Sequence, residues 1–432
     1  MTAPSNPHMR RGWCPGVRRP METGDGLLVR VHPPGGGLTA SQARLIAAAA
    51  ETHGNGHLDI TARGNLQIRG VSDGTYPALL RRLDEAGLVE PEGDGPLRLT
   101  AVSPLAGSDP NDHADAFALA QAVEGKAGEL QDLPAKVFVA VDGGGSMALD
   151  GIGADLHLLA TGEDEIACAL ASPEDLVWIG ATSLAQAPTA ASSILAGFAA
   201  MRRSGRTEAR RIRDLAPHLA RELAALASLA PAASPSRRRA APRAGVFDLG
   251  DGHAVLMALP FGRCDAAQLT HAATWSERLG NGKIRLSFTR GLLLPGVTKA
   301  DGAALVDEAR RFGFIVDASD PRLSVLACPG KPACASAWTP AHDDALRIAD
   351  AARELLAGGA TIHVSGCAKG CAHPSAADVT LVGRENGSYG VVAGGSSRDA
   401  SLTERSIEEV MTCLSVLKNP RDLHRAFEET AP

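Results

Sequence analysis

Asn55-Gly56-His57-Leu58-Asp59-Ile60-Thr61-Ala62-Arg63-Gly64 and Asn281-Gly282-Lys283-Ile284-Arg285-Leu286-Ser287-Phe288-Thr289-Arg290-Gly291 are two versions of one segment. Each opens on an Asn-Gly turn, alternates apolar residues (Leu58, Ile60; Ile284, Leu286) and closes on Arg-Gly. Alone, that is ordinary hairpin chemistry. Working outward, Gly24-Asp25-Gly26-Leu27 has its counterpart in Gly250-Asp251-Gly252-His253. After each comes an apolar strand-like run, 27–31 and 254–259, then a helix-patterned stretch, 41–51 and 266–279. The offset is 226 or 227 residues throughout. Chance matching of turn signals is the alternative, but recurrence in register favours an internal duplication, with Arg290 the duplicate of Arg63.

Two pseudo-symmetric halves follow. Each is a small β-α-β unit leading into a larger α/β segment, residues 97–200 in the first and 303–432 in the second. Residues 202–243, rich in Arg, Ala, Pro and Ser, are expected to start as a basic helix through Arg206, Arg210 and Arg213 and to end as a proline-rich surface linker. Arg237-Arg238-Arg239 reads as a solvated charge run without function.

A chain of 432 residues with 44% hydrophobic content can bury ordinary cores in about two or three domains. The formal charge of −6 supplies no basic field to attract nucleic acid. No run of about 18 apolar residues is present, and Arg10, Arg11, Arg18 and Arg19 precede no apolar signal core. A cytoplasmic enzyme, with neither nucleic acid nor membrane as partner, is the expectation. Eight cysteines are too sparse for a disulfide scaffold. Cys168, Cys264 and Cys413 read as buried small hydrophobes.

Cys328-x5-Cys334 and Cys367-x3-Cys371 stand apart. Cys328 is followed by Pro329-Gly330, and a glycine immediately precedes both Cys367 and Cys371. Such small neighbours let thiolates approach one inorganic body from several sides and let backbone N–H groups point at sulfur. Structural zinc pairs usually come as C-x2-C or C-x4-C, so these spacings favour an iron-sulfur cluster, with zinc as the rival and unliganded thiols the third reading.

The paired cysteines resemble those of the siroheme-dependent nitrite and sulfite reductase family, whose four such cysteines hold a 4Fe-4S cluster. Thr61-Ala62-Arg63-Gly64-Asn65-Leu66-Gln67 is similar to that family's Thr-x-Arg-x-x-x-Gln segment, and Val379-Thr380-Leu381-Val382-Gly383 with Gly394-Gly395 to its closing strands. The resemblance spans nearly the whole chain and implies a duplicated α+β fold. Two half-repeats (1–80 and 244–300) pair as one ferredoxin-like domain, α/β domains occupy 81–201 and 301–432, the second carries the cluster, and 202–243 links the halves. It also implies a tetrapyrrole between the halves, held through its carboxylates by Arg30 and Arg63.

The chain departs from the reductases where their anion pocket would be. Lys136 keeps the first lysine of a Lys-x-Lys pair, but Phe138 replaces the second, and Ser103-Pro104-Leu105-Ala106-Gly107 replaces the segment with an anion-binding arginine. Together with Arg11-Gly12-Trp13-Cys14-Pro15-Gly16, Met21-Glu22-Thr23-Gly24-Asp25-Gly26 and Ser365-Gly366-Cys367-Ala368-Lys369-Gly370-Cys371-Ala372-His373-Pro374, these departures closely resemble the precorrin-3B synthase family of aerobic cobalamin synthesis. That resemblance implies a monooxygenase in which the tetrapyrrole, precorrin-3A, is substrate rather than prosthetic group. It implies a 4Fe-4S cluster on Cys328, Cys334, Cys367 and Cys371, and substrate binding by Arg30, Arg63 and Lys136. It further implies dioxygen as co-substrate, an external electron donor (an NADH-linked reductase or a ferredoxin or flavodoxin type) and a mononuclear non-haem iron. His373 and Lys136 are the catalytic candidates; His363 reads as a satisfied structural histidine, Trp13-Cys14-Pro15-Gly16 as a packed turn and Arg290 as an ion-pair partner. A siroheme nitrite or sulfite reductase and a non-enzymatic tetrapyrrole carrier are the alternatives.

Overall fold

Two helices of fourteen residues, each opened by a capping box, anchor the molecule. The computed structural model describes residues 13–93 and 95–429. The first half-repeat runs β1 (Met21–Thr23), β2 (Gly26–Val31), β3 (Gly37–Thr39), α1 (Ala40–His53), β4 (His57–Ile60), β5 (Leu66–Val71) and α2 (Tyr76–Glu85). In α1 the Thr39 side chain accepts from the Gln42 backbone and Gln42 reaches back, while Gly54 follows the last turn.

The first α/β segment contributes β6 (Thr100–Ala101), α3 (Ala116–Ala127), β7 (Val139–Asp142), β8 (Leu156–Gly162), β9 (Glu165–Ala171), β10 (Leu176–Thr182), α4 (Ala187–Arg203) and, beyond it, α5 (Pro217–Ala225). The second half-repeat retraces the first as β11 (Gly245–Asp248), β12 (His253–Ala258), β13 (Arg263–Asp265), α6 (Ala266–Leu279), β14 (Lys283–Leu286), β15 (Gly291–Val297) and α7 (Lys299–Arg311). Asp265 and Gln268 repeat the capping box. The last segment holds β16 (Val325–Ala327), α8 (Ala341–Ala351), α9 (Arg353–Ala357), β17 (Ile362–Ser365), β18 (Ala377–Gly383), β19 (Tyr389–Gly395), β20 (Thr403–Arg405), α10 (Ile407–Ser415) and α11 (Leu423–Glu429).

The half-repeats exchange an edge strand. One sheet is ordered β1-β2-β5-β4-β13 and the other β11-β12-β15-β14-β3, so each is completed by three residues of the opposite half. One hydrophobic core, including Val29, Ile46 and Ile68 of the first half and Val255, Leu269 and Leu294 of the second, lies beneath both sheets. The edge exchange and the shared core join the halves into one ferredoxin-like domain. Duplication reaches the α/β domains too: β6 to β10 and β16 to β20 lie in sequential order, with two parallel pairings followed by two antiparallel ones.

Register settles the correspondence between copies. Asp59 pairs with Gln67 as Arg285 pairs with Leu293, an offset of 226. The turn after β4 closes with Gly64 N–H on the Thr61 carbonyl, and the turn after β14 closes with Arg290 N–H on Ser287. Arg290 therefore stands at the place of Gly64, not of Arg63 as the sequence suggested, and holds the same left-handed φ, 67° against 65°. Thr289 occupies the Arg63 position.

The basic stretch around Arg206 and Arg210 does not form a helix. After one 3-10 turn at Ile212–Asp214, α-helix starts at Pro217, which has no N–H in need of a capping acceptor, and Leu219 and Leu223 then enter the core of the first α/β domain with Ile212 and Leu215. Arg238 is not solvated: it pairs with Asp142 at 2.5 Å and with Asp150.

Candidate functional site

The carboxyl ends of adjacent parallel strands are where open α/β sheets place ligands. Cys328 follows β16 directly, and Cys367 stands two residues beyond the neighbouring β17. Gly366 N–H donates to Cys328 Sγ over 3.2 Å. A Cβ at Gly366 would lie 2.7 Å from that of Ala337, and Gly330 holds φ at 66°, so both glycines are needed for the approach. Cys334 and Cys371 come from the following loops. Burial, then the charges of Cys328, Cys367 and Cys334, push the Cys371 thiol up to about 11, and burial raises that of Cys328 against backbone N–H donors from Gly366 and Gly330.

Among the described residues no three His, Cys, Asp or Glu side chains converge closely enough to chelate a single ion. Zinc would need sulfurs about 2.3 Å from one centre. Thiols in short glycine-bearing loops at the ends of adjacent strands, with backbone N–H donation to Cys328, suit an iron-sulfur cluster. The same observation leaves the mononuclear iron without a fitting ligand set among the described residues.

A second group of candidates is cationic. Val29, Val31, Leu58, Ile60, Leu66 and Ile68 face the core, so alternation puts Arg30, Gln67, Asp59 and Arg263 on the outer face of the first sheet. Register aligns these four in one row across β2, β5, β4 and β13. With its amide oriented to satisfy both groups, Gln67 accepts two hydrogen bonds from Arg30. The equivalent positions in the second sheet, Leu256 and Leu293, are apolar and pack on Leu105 and Met147 of the first α/β domain. Arg285 stands at the Asp59 position, so the second copy keeps one charge in this row but lacks the Arg30–Gln67 pair.

Arg63 Nη2 reaches the Lys136 carbonyl at 3.5 Å, and its guanidinium lies 4.2 Å from the centre of the Phe138 ring. Arg98 donates to the carbonyls of Arg63, Gly64 and Thr100 and to Asn65 Oδ1. Burial holds Arg63 and Arg98 down to about 10 and lowers Arg30 as well. Burial, reinforced by those same arginines, pushes His32 down to about 3. Beside them opens a cavity of about 1480 Å³ whose lining includes Trp13, Cys14, Arg98, Lys136, Arg202 and Arg210.

The comparisons with known proteins bear on this geometry. The model of the nitrite/sulfite reductase ferredoxin-like half domain matches residues 19–86 and again 248–312. The solved structure of the Mycobacterium tuberculosis NirA protein superposes with a TM-score of 0.74, covering 93% of this chain and 84% of that one at 20% identity, which bears on the fold alone. Precorrin-3B synthase of a Sinorhizobium species is 36% identical over 408 residues, 90% of this chain and 84% of its own. The chain belongs to the precorrin-3B synthase family. Ferredoxin–nitrite reductase of Synechococcus elongatus is more distant, 26% identical over 88% of this chain and 80% of its own. Membership makes the chain an enzyme of redox type, supports an iron-sulfur cofactor, and implies a tetrapyrrole substrate and an electron donor in general. No described helix is long and apolar enough to cross a membrane.

Within this precorrin-3B synthase fold the sequence candidates fall into two groups. Cys328, Cys334, Cys367, Cys371 and His373 sit on the cysteine-bearing domain, where His373 Nε2 meets the Ala376 carbonyl at 3.1 Å. Arg63 meets the Lys136 backbone and Arg30 stands on the outer face of the first sheet; Lys136 lines the cavity, while Arg30, Arg63 and His373 do not. His363 differs from its sequence reading. It is fully buried, its ring 5.7 Å from that of His373, and neither nitrogen has a hydrogen-bond partner. Arg290 donates to the Ala372 carbonyl at 3.0 Å rather than to a carboxylate. Cys14 packs its thiol toward the Ala135 carbonyl at 3.5 Å and also lines the cavity. Arg11 and Gly12 of its motif lie outside the described residues. Cys168 and Cys264 are buried as expected, and Cys413 partly so. Sequence reasoning missed Arg98, which no motif marks, and Arg202 and Arg210, which looked like linker charge.

Proposed function

We propose that the chain is a precorrin-3B synthase: it hydroxylates precorrin-3A at C20 with dioxygen and closes a γ-lactone from the ring A acetate, preparing ring contraction in aerobic cobalamin biosynthesis. The observation that carries the substrate reading is the group of half-buried guanidinium ions, Arg30, Arg63 and Arg98, whose hydrogen bonds go to carbonyl and amide oxygens instead of carboxylates. Positive charge that is largely withdrawn from water and makes no carboxylate hydrogen bond is costly, and a polycarboxylate macrocycle would supply such partners. With Lys136, these residues would hold the substrate by its periphery and turn C20 toward the oxidant.

Cys328, Cys334, Cys367 and Cys371 would hold a 4Fe-4S cluster, which when bound supplies one-electron relay from an external donor of NADH-linked reductase, ferredoxin or flavodoxin type. One oxygen atom enters the product and the donor's electrons reduce the other to water. His373, beside Cys371, is the candidate for moving a proton. The mononuclear iron finds no fitting ligand set among the described residues, and no step is assigned to it. A reducing cytoplasm would suit thiolate ligation.

Anaerobic purification with iron, sulfide and porphyrin assays, then incubation with precorrin-3A, reductant and dioxygen, tests the reading. The expected result is a cluster spectrum without siroheme and a product heavier by oxygen, both lost in Cys371→Ser. Bound siroheme, or no mass change in the presence of an intact cluster, overturns it.

A further inference from the structure

The turn at Gly24-Asp25 docks on the cysteine loop. A Cβ at Gly24 would run into the Pro332 carbonyl oxygen and lie 2.8 Å from the Ala335 nitrogen and 3.0 Å from the Cys334 carbonyl carbon, so the glycine sits against the loop backbone before and after Cys334. Asp25 next to it accepts from Arg69 Nε at 3.0 Å and Nη2 at 2.8 Å, and also from Thr23 and Asn55. Arg69, with 3% of its side chain exposed, then donates through Nη2 to the Ala333 carbonyl at 2.5 Å, one peptide before Cys334. Its Nη1 reaches Asp59 at 3.3 Å, and Asp59 is held in turn by Arg263 Nε from the other half at 2.7 Å.

The duplication separates turn building from loop holding. In the second copy Gly250-Asp251-Gly252 makes the equivalent hairpin, and the 226-residue register places Pro295 where Arg69 stands. Gly70 and Gly296, the next residues, share left-handed φ values of 68° and 75°. The hairpin and its bulge therefore form without an arginine. The arginine is present in the copy that faces the cysteine loop.

We infer that Arg69 is a positioning residue for the iron-sulfur site. It fixes the Cys334 peptide through the Ala333 carbonyl and places a positive charge, balanced by Asp25, beside the cluster. Cation proximity favours the more negative, reduced state of a cluster, so the balance of Arg69 and Asp25 sets its reduction potential.

This rests on the cluster reading above, and the experiment separates the two. Full-length wild type, Arg69→Met, Arg69→Lys and Asp25→Asn are assayed for iron and sulfide and titrated redox-wise with EPR detection. Arg69→Met, without the charge, is expected to shift the midpoint downward and alter the EPR line shape; Asp25→Asn, leaving the arginine only Asp59, which Arg263 shares, is expected to shift it upward. Arg69→Lys should return most of the potential. Opposite shifts cannot come from loosened packing alone, and Asp25→Asn and Arg69→Lys keep the test open if Arg69→Met does not fold. Unchanged potentials and spectra in variants with full iron content overturn the role of Arg69 and leave the cluster reading intact. A wild type without iron and sulfide overturns both.

Discussion

The guanidinium of Arg63 lies 4.2 Å above the ring of Phe138, a residue standing where the reductase pattern has the second lysine of its pair. The exchange of charge for aromatic ring thus does two things at once. It leaves one cation fewer beside Lys136 and gives Arg63, the arginine proposed to bind carboxylates, a fixed platform.

Phe138 is almost fully buried and belongs to a small core with Ala101, Ala140 and Leu149. Phe138→Ala is expected to cost about 3–5 kcal/mol of stability, and Phe138→Leu clearly less. Urea unfolding of both variants checks the order. Equal losses would show that the ring's volume is not what matters.

Arg63 and Arg98 provide charge without carboxylate hydrogen bonds in the free protein. Arg63→Met should weaken binding of a tetrapyrrole polycarboxylate by roughly 10- to 100-fold, as expected for losing a charge-assisted contact of about 1.5–3 kcal/mol. The loss should shrink as salt rises. Fluorescence titration at two ionic strengths measures it, and affinity independent of both residue and salt would count against the binding wall.

Gly366 combines an N–H bond to Cys328 with contact against Ala337. Gly366→Ala has to push two backbones apart, at about 1–3 kcal/mol. Iron and sulfide content should fall with it. A variant that retains full iron and wild-type melting would mean the loop yields freely.

His157 and His363 are buried, and burial pushes each down to about 4. The unfolded chain binds their protons near the ordinary value of about 6.5, so between roughly pH 6.5 and 4 the unfolded state holds more protons than the folded state. Stability is therefore complete above that window and falls as pH drops through it, by up to about 3 kcal/mol per histidine. Unfolding curves at pH 7, 5.5 and 4.5 should show a shallower fall for His157→Gln than for the parent; parallel curves would remove His157 from the account.

Much of the fold was legible because duplication repeats local chemistry. Asn55-Gly56 and Asn281-Gly282, the helix starts and the apolar alternation are short-range signals that survive in both copies. The copy of Arg63 was misassigned because Arg-Gly in both segments invited a one-residue slip, whereas strand pairing fixes Arg290 on Gly64 through hydrogen bonds that sequence does not display. The segment after α4 was misread for a similar reason. Its charges suggested a solvated linker, yet Ile212, Leu219 and Leu223 are spaced to enter a core formed by distant strands.

By itself the sequence determined the two half-repeats, the pairing of thiols in short glycine-rich loops and the departure from the reductase anion pocket, since each depends on neighbours within a few residues. Only the tertiary structure decided that Arg30 and Gln67 pair on the outer face of one sheet, that β3 and β13 cross to the opposite half, and that Arg69 reaches the Cys334 loop 264 residues away. Those outcomes depend on which surfaces meet, and a side chain acquires its partner only when the whole chain has closed around it.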